Sequence, residues 1–122
     1  MRRDMDLLRA ILLAVEGNDD PFELIDPGVE GHAELAVCRH IALAAEAGLI
    51  TARDRSAIGV YYWSAGQLTW AGHEFLDLVR DETLWTEAKR LVEHATGSLA
   101  FELLRAEAVA LARRRMQSSG PG

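Results

Sequence analysis

The 122-residue chain is poor in several residue types, and each shortage excludes a class of protein. Cys38 is the only cysteine, so a disulfide within the chain is excluded, and the histidines show no metal-ligand spacing with it. We therefore interpret Cys38 as a small buried apolar side chain. Because the chain has neither a phosphate-binding glycine loop nor a nucleophile elbow, we expect no metal, no cofactor and no enzymatic activity.

Long hydrophobic runs are missing as well, and none reaches the ~18 residues that a membrane-spanning helix needs. The N-terminus offers a basic start and an apolar stretch, but Asp4, Asp6 and Arg9 interrupt it and no small-residue cleavage site follows. This pattern is not typical of a signal peptide. We therefore expect a cytoplasmic protein that does not contact a membrane.

Basic residues are in deficit: 13 Lys and Arg stand against 19 Asp and Glu, which gives a formal net charge of −6. A large nucleic-acid footprint normally requires clustered Lys and Arg, so this balance argues against one, although it leaves room for a small local contact. Hydrophobic residues make up 49% of the chain and charged residues 26%, a balance that is typical of a globular domain rather than a disordered chain.

What the sequence does contain is a mainly helical α+β pattern. Apolar residues recur at helical spacing in a first helix that Asp4 caps. We expect a short strand at 22–26 and a second helix at about 34–47. After a hairpin, three more helices follow, the first capped by Thr69 and the last running to about Arg115.

The hairpin is the feature that suggests the fold. Two stretches rich in Ile, Val and aromatic residues, "LITA" and "AIGVYYW", are predicted strands joined by "RDRS". The order helix, strand, helix, hairpin, helix is the winged-helix pattern, here extended by two C-terminal helices. We predict a single winged-helix-like domain over residues 1–115 and a disordered tail at 116–122.

The pair Gly72–His73 lies one turn into the helix that Thr69 caps. A catalytic histidine needs a nucleophile, an orienting partner and a pocket, and the neighbouring residues form no such constellation. Glycine inside a helix costs about 1 kcal/mol of helix propensity, which indicates a packing reason for it. We therefore predict that another segment approaches Gly72 closely, and that Phe75 and Leu76 of the same helix face the core.

Three segments, "MRRDMDLLRAILLAVE", "RHIALAAEAGLI" and "QLTWAGHEFLDLVRDETLW", resemble the domain of unknown function 2513 family, a group of small bacterial and phage-encoded proteins. The resemblance covers roughly residues 1–112, and "RDMDLLR" and "LTWAGHEFLD" are its most specific parts. It implies a winged-helix fold and an origin in a phage or prophage, and it implies no particular reaction.

Two pairs of residues are candidates for binding double-stranded DNA. Arg39 and His40 are expected to point outward from the second helix, the recognition-helix position, where Arg39 could reach a base edge or a phosphate. Arg53 and Arg55 lie at the predicted hairpin tip, where a basic wing would contact phosphate or the minor groove. A simpler interpretation exists for both pairs, since exposed helix faces and turns commonly carry charge. We interpret the chain first as a DNA-binding or regulatory module.

An acidic segment supports an alternative function. Residues 17–33 contain Asp26 and Glu30 among several carboxylates and no Lys or Arg, so a phosphate backbone would be repelled there. The alternative is a protein-interaction module that modulates a host or phage factor without binding DNA. In that case Asp26 and Glu30 would contact the partner.

Overall fold

The computed structural model describes residues 1–118 and confirms the predicted class, a mainly helical α+β fold. These residues form five helices and one antiparallel sheet of two strands. In chain order the elements are α1 (Met5–Glu16), α2 (Glu34–Glu46), β1 (Ile50–Asp54), β2 (Trp63–Leu68), α3 (Trp70–Val79), α4 (Glu82–Thr96) and α5 (Phe101–Ser118).

The chain divides into two compact units, residues 1–74 and a second unit that begins at Phe75. The single domain expected over residues 1–115 stays a prediction. The last helix continues to Ser118, so Met116–Ser118 of the predicted tail are helical, and the rest of that tail lies outside the described residues. Within the described part of the chain, no helix has both the length and the apolar character needed to cross a membrane.

Helix α1 begins where the sequence predicts, because the carboxylate of Asp4 caps it. The Oδ1 atom of Asp4 accepts hydrogen bonds from the backbone N–H groups of Asp6 (2.9 Å) and Leu7 (3.1 Å). The apolar residues of the helix recur on one face and form much of the core of the first unit. The buried residues of α1 are Met5, Leu7, Leu8, Ile11, Leu12 and Val15.

Helix α2 contacts α1, and the side chain of His40 joins the two helices. Its Nε2 atom accepts the backbone N–H of Asp4 at 2.8 Å, and its Nδ1 atom donates to the carbonyl oxygen of Ala36 at 2.8 Å. These bonds require the neutral tautomer that carries its proton on Nδ1. His40 is only 2% exposed, so the prediction that it points outward beside Arg39 is wrong. The prediction placed His40 on the solvent face because its side chain is polar. In the structure both ring nitrogens have hydrogen-bond partners within the protein.

The second strand of the hairpin and the loop before it lie at other residues than predicted. Strands β1 and β2 are antiparallel, with Ala52 opposite Ala65 and Arg53 opposite Ser64. Most of "AIGVYYW" is therefore loop, and β2 begins at Trp63 and continues through the buried residues Ser64, Ala65 and Gly66. The high strand propensity of the aromatic residues is the reason for the predicted position of the strand. The observed strand β2 contacts both α1 and α2, and its small side chains allow this close packing.

A single bridge extends the sheet on the other edge of β2. The N–H of Ile25 donates to the carbonyl oxygen of Ala65 at 2.7 Å, and the N–H of Ala65 donates back to the carbonyl oxygen of Ile25 at 2.9 Å. The strand predicted at 22–26 is thus reduced to one bridging residue. Because the pairing is antiparallel, Asp26 lies next to Ser64 of β2.

Gly72 is the point where α3 meets the chain between α2 and β1. A Cβ atom on Gly72 would overlap the carbonyl oxygen of Leu49. Thr69 fixes this approach, because its Oγ1 atom accepts the N–H of Gly72 at 3.1 Å and donates to the carbonyl oxygen of Gly48 at 2.5 Å. The predicted packing role of Gly72 is confirmed, and the neighbouring His73 is exposed.

Aromatic packing organises the second unit. Phe75 is buried, as predicted, and its ring centroid lies 4.8 Å from that of Phe101 and 6.3 Å from that of Trp85, the latter edge-on. Helix α4 begins after Asp81, whose carboxylate accepts two backbone N–H groups of its first turn. The other carboxylate oxygen accepts a hydrogen bond from the guanidinium of Arg115 at 3.0 Å, which ties the start of α4 to the end of α5.

Adding a methyl group at Gly72 should destabilise the protein. We expect Gly72→Ala to lower the free energy of unfolding by about 1–3 kcal/mol, because the Leu49 carbonyl must move. Gly28→Ala is the matched control, since a Cβ atom there would have nothing within 4 Å. Urea melts of the two variants measure the difference. Equal stability of both would refute the packing role of Gly72.

Candidate functional site

A cleft of about 460 Å³ opens in the first unit between residues 26–34 and the beginning of α2. Tyr62 and Trp63 form part of its wall. Its floor is apolar, whereas carboxylates stand at its rim. The floor includes Val37, Cys38 and Ile41, and the polar rim includes Asp26, Glu30, His32 and Glu34.

A chain of polar contacts runs from the cleft to the hairpin through the buried hydroxyl of Ser64. The Oγ atom of Ser64 donates to Oδ1 of Asp26 at 2.5 Å and accepts from the guanidinium of Arg55 at 3.1 Å. Asp26 belongs to the predicted protein-binding pair and Arg55 to the predicted DNA-binding set. The structure therefore brings one residue of each hypothesis into a single hydrogen-bonded group. The guanidinium of Arg55 donates its hydrogen bond to Ser64 of the same chain.

Tyr62 completes this polar group. The guanidinium carbon of Arg55 lies 5.8 Å from the centroid of the Tyr62 ring, within the range of a cation–π contact. Burial raises the pKa of the Tyr62 phenol above its usual value, and a hydrogen bond to Asp26 raises it further. The negative charge of Glu34 acts in the same direction. The negative potential of the cleft therefore reaches the Tyr62 hydroxyl.

Cys38 is buried at the floor of the cleft, as predicted. Its Sγ atom lies 3.7 Å from the carbonyl oxygen of Trp63, the distance of a weak S–H···O hydrogen bond. Among residues 1–118, no three His, Cys, Asp or Glu side chains are arranged to hold a metal ion. The thiol thus contributes to packing between α2 and the hairpin.

The remaining predicted site residues lie apart from this polar group or at its edge. Arg39 is exposed on α2 and does not line the cleft, and Glu30 is exposed on the rim. Arg53 is an exposed residue of β1, opposite Ser64, so the prediction that Arg53 and Arg55 form the hairpin tip is wrong. The extra length of the hairpin moves the tip away from both arginines.

The true tip is apolar. Ala57 and Val60 exchange two backbone hydrogen bonds of 2.9 Å, which leaves Ile58 and Gly59 as the turn residues. Gly59 has a φ of 78°, the backbone conformation that the third position of a type II turn requires. Ile58, Val60 and Tyr61 are all exposed, and we call these three side chains the apolar tip.

Sequence reasoning missed Ser64 and the position of Tyr62 in the cleft. The predicted strand "AIGVYYW" includes Tyr62 and ends before Ser64, whereas Ser64 lies in β2 and Tyr62 lies outside it. The dipeptide Ile58–Gly59 was the available signal for the turn, because glycine commonly supplies the positive φ of a two-residue connection.

The pKa of Tyr62 gives a test of the polar group. In a Tyr61→Phe background Tyr62 is the only tyrosine, so phenolate absorbance reports on it alone. We expect its midpoint above pH ~10, and we expect Asp26→Asn to lower that midpoint because a hydrogen bond and a negative charge are lost. Glu23→Gln, in the same unit, is the control and should leave the midpoint unchanged. An unchanged midpoint in Asp26→Asn would contradict the contact.

The chain matches the family described as "Hypothetical protein (DUF2513)" over residues 2–98, which include the cleft and every element from α1 to α4. It is also similar to a protein of Haemophilus influenzae that carries the name "Uncharacterized protein", with 34% identity over 106 residues, 86% of this chain and 90% of the relative. No solved structure matches the chain. The resemblance in the sequence is thus confirmed, and the chain belongs to the DUF2513 family.

Proposed function

We propose that this chain is a non-enzymatic module of winged-helix type that binds another protein through the end of its hairpin. The observation that carries the proposal is the apolar tip, in which Ile58 is fully exposed and Val60 and Tyr61 are 56% and 44% exposed. Apolar side chains that cluster at one exposed point are typical of protein-binding surfaces. The family resemblance makes a host or phage factor the expected partner.

The loop that carries the apolar tip is well ordered by its own hydrogen bonds. The Asp54 carboxylate accepts the N–H of Ser56 at 2.9 Å, and the Ser56 hydroxyl accepts the N–H of Tyr62 at 2.9 Å. The N–H of Arg55 donates to the carbonyl oxygen of Tyr62 at 2.8 Å. A loop fixed before binding loses little conformational entropy on association, which supports a recognition role for its side chains.

Double-stranded DNA is the second candidate partner, and the exposed guanidinium groups of Arg39 and Arg53 favour it. Several observations weigh against it. Arg55 is engaged by Ser64 and Tyr62, the hairpin tip is apolar rather than basic, and the cleft beside it is acidic. The net charge of −6 opposes a phosphate contact as well. We therefore rank a protein partner above DNA.

Removing the apolar tip should abolish partner binding without unfolding the protein. The protein enriched by the wild type from a host lysate would be identified, purified and titrated by calorimetry. We expect Ile58→Ser with Val60→Ser to weaken that complex at least ~10-fold, because burial of each apolar side chain contributes about 1.5–3 kcal/mol. Phe22→Ser, which removes another highly exposed apolar side chain of the same unit, is the matched control. Wild-type affinity in the tip variant would refute the proposal.

The DNA alternative makes a separate prediction. If Arg39 and Arg53 contacted phosphates, Arg39→Glu with Arg53→Glu would reduce the slope of log affinity against log salt by ~2, because each contact contributes ~0.9. We expect instead no salt-dependent binding of mixed duplex DNA by the wild type in fluorescence anisotropy at low salt. If the wild type binds DNA in a salt-sensitive way and the double variant does not, DNA becomes the favoured partner over a protein.

A further inference from the structure

The cleft beside the hairpin combines two kinds of surface that a single ligand group can satisfy. Its floor is built from Val37, Cys38 and Ile41, which are buried and apolar. Its rim carries the exposed carboxylates of Glu30 and Glu34. A group that fits such a site has an apolar stem and a positively charged end.

We propose that this cleft accepts an arginine side chain of the protein partner, with the stem on the apolar floor and the guanidinium facing Glu30 and Glu34. The inference rests on the proposed function and deepens it by assigning chemistry to the partner. The cleft directly follows the apolar tip along the chain, since Tyr62 and Trp63 of its wall come after Tyr61. One partner surface can therefore engage both the tip and the cleft.

The charges around the cleft favour a cation over an anion. Helix α2 starts there without a side-chain cap, and free N–H groups at a helix start attract anions. Three carboxylates oppose that attraction: Asp26, Glu30 and Glu34. The nearby cation, Arg55, balances Asp26 through Ser64, which leaves the negative charge of the two glutamates for a ligand. Burial is the main cause of the raised pKa of Tyr62, and the negative charges of Asp26 and Glu34 raise that pKa further.

The aromatic wall favours arginine over lysine. Guanidinium is planar, weakly hydrated and stacks on aromatic rings, whereas an ammonium group is a compact and strongly hydrated charge. Tyr62 and Trp63 supply aromatic surface next to the carboxylates. The Tyr62 ring already lies near the guanidinium of Arg55, so the site contains one example of the contact that we infer for the partner.

The test uses a small probe and therefore needs no knowledge of the partner. The full chain, labelled with ¹⁵N, would be titrated with N-acetyl-arginine methylamide and followed by NMR. We expect saturable shifts of the Val37, Tyr62 and Trp63 signals. N-acetyl-citrulline methylamide has nearly the same shape without the charge, and we expect it to bind at least ~5-fold more weakly. Equal binding of the two probes, or tighter binding of N-acetyl-lysine methylamide, would overturn the proposal.

Variants of the two rim glutamates test whether their carboxylates bind the charged end of the arginine amide. We expect Glu30→Gln with Glu34→Gln to weaken arginine-amide binding ~5-fold or more, because two partly screened carboxylates are lost. Glu23→Gln with Glu46→Gln removes two exposed carboxylates from the same unit outside the cleft and is the matched control. Equal affinity of both double variants refutes the assignment. The salt dependence of the wild-type titration shows whether the binding is electrostatic, and the two double variants assign the charge.

The outcomes of this titration and of the tip experiment are distinguishable. Ile58→Ser with Val60→Ser should bind the arginine amide as the wild type does, although it loses the protein partner. If the arginine amide binds but the tip variant still binds the protein partner as the wild type does, the proposed function is refuted. If the arginine amide does not bind but the tip variant loses the protein partner, only the arginine inference is refuted. Binding of inorganic phosphate at the cleft, or self-association through it, would also refute that inference.

Discussion

Three consecutive small residues in β2 are the constraint on which the rest of the first unit depends. Ser64, Ala65 and Gly66 are all buried, and their strand contacts both α1 and α2. A Cβ atom on Gly66 would lie 2.5 Å from the Oγ1 atom of Thr51 in β1. Larger side chains at the buried Ser64 and Ala65 would need volume that protein interiors do not leave free. Ala65 also pairs with Ala52 on one edge and Ile25 on the other. That double pairing sets the alignment that brings Asp26, Ser64 and Arg55 together.

Local chemistry accounts for the elements that the sequence predicted well. Asp4 and Thr69 cap helices because their side-chain oxygens accept free N–H groups, and this preference needs no information from distant residues. The glycine at position 72 likewise signals a close approach. The hairpin was misplaced because strand propensity favoured its aromatic residues, whereas packing against two helices selected the small ones. His40 was misplaced because its two hydrogen-bond partners lie on another helix and on its own preceding turn.

The sequence predicted several residues of the candidate site but not which of them contact one another. Asp26 and Arg55 were assigned to competing functions. The pairing of Ile25 with Ala65 brings Asp26 to the Ser64 hydroxyl, and the pairing of the two hairpin arms brings Arg55 to it. No periodicity within one segment carries that information, since it arises from register between segments far apart in the chain. The apolar tip was hidden for the same reason: its exposure depends on where the strands stop pairing.

The regular pairing of the hairpin has a consequence for how this protein can vary among relatives. Ala52, Arg53 and Asp54 pair with Ala65, Ser64 and Trp63, the N–H of Arg55 donates to the carbonyl oxygen of Tyr62, and Ala57 pairs with Val60 at the turn. Loss or gain of one facing pair would shorten or lengthen the hairpin and leave the contact between Arg55 and Ser64 intact. A single-residue insertion in one arm would instead shift every later pair and turn its side chains to the opposite face. Length differences in this family should therefore occur as whole pairs between residues 56 and 61, which changes the reach of the hairpin and leaves the contact between Arg55 and Ser64 unchanged.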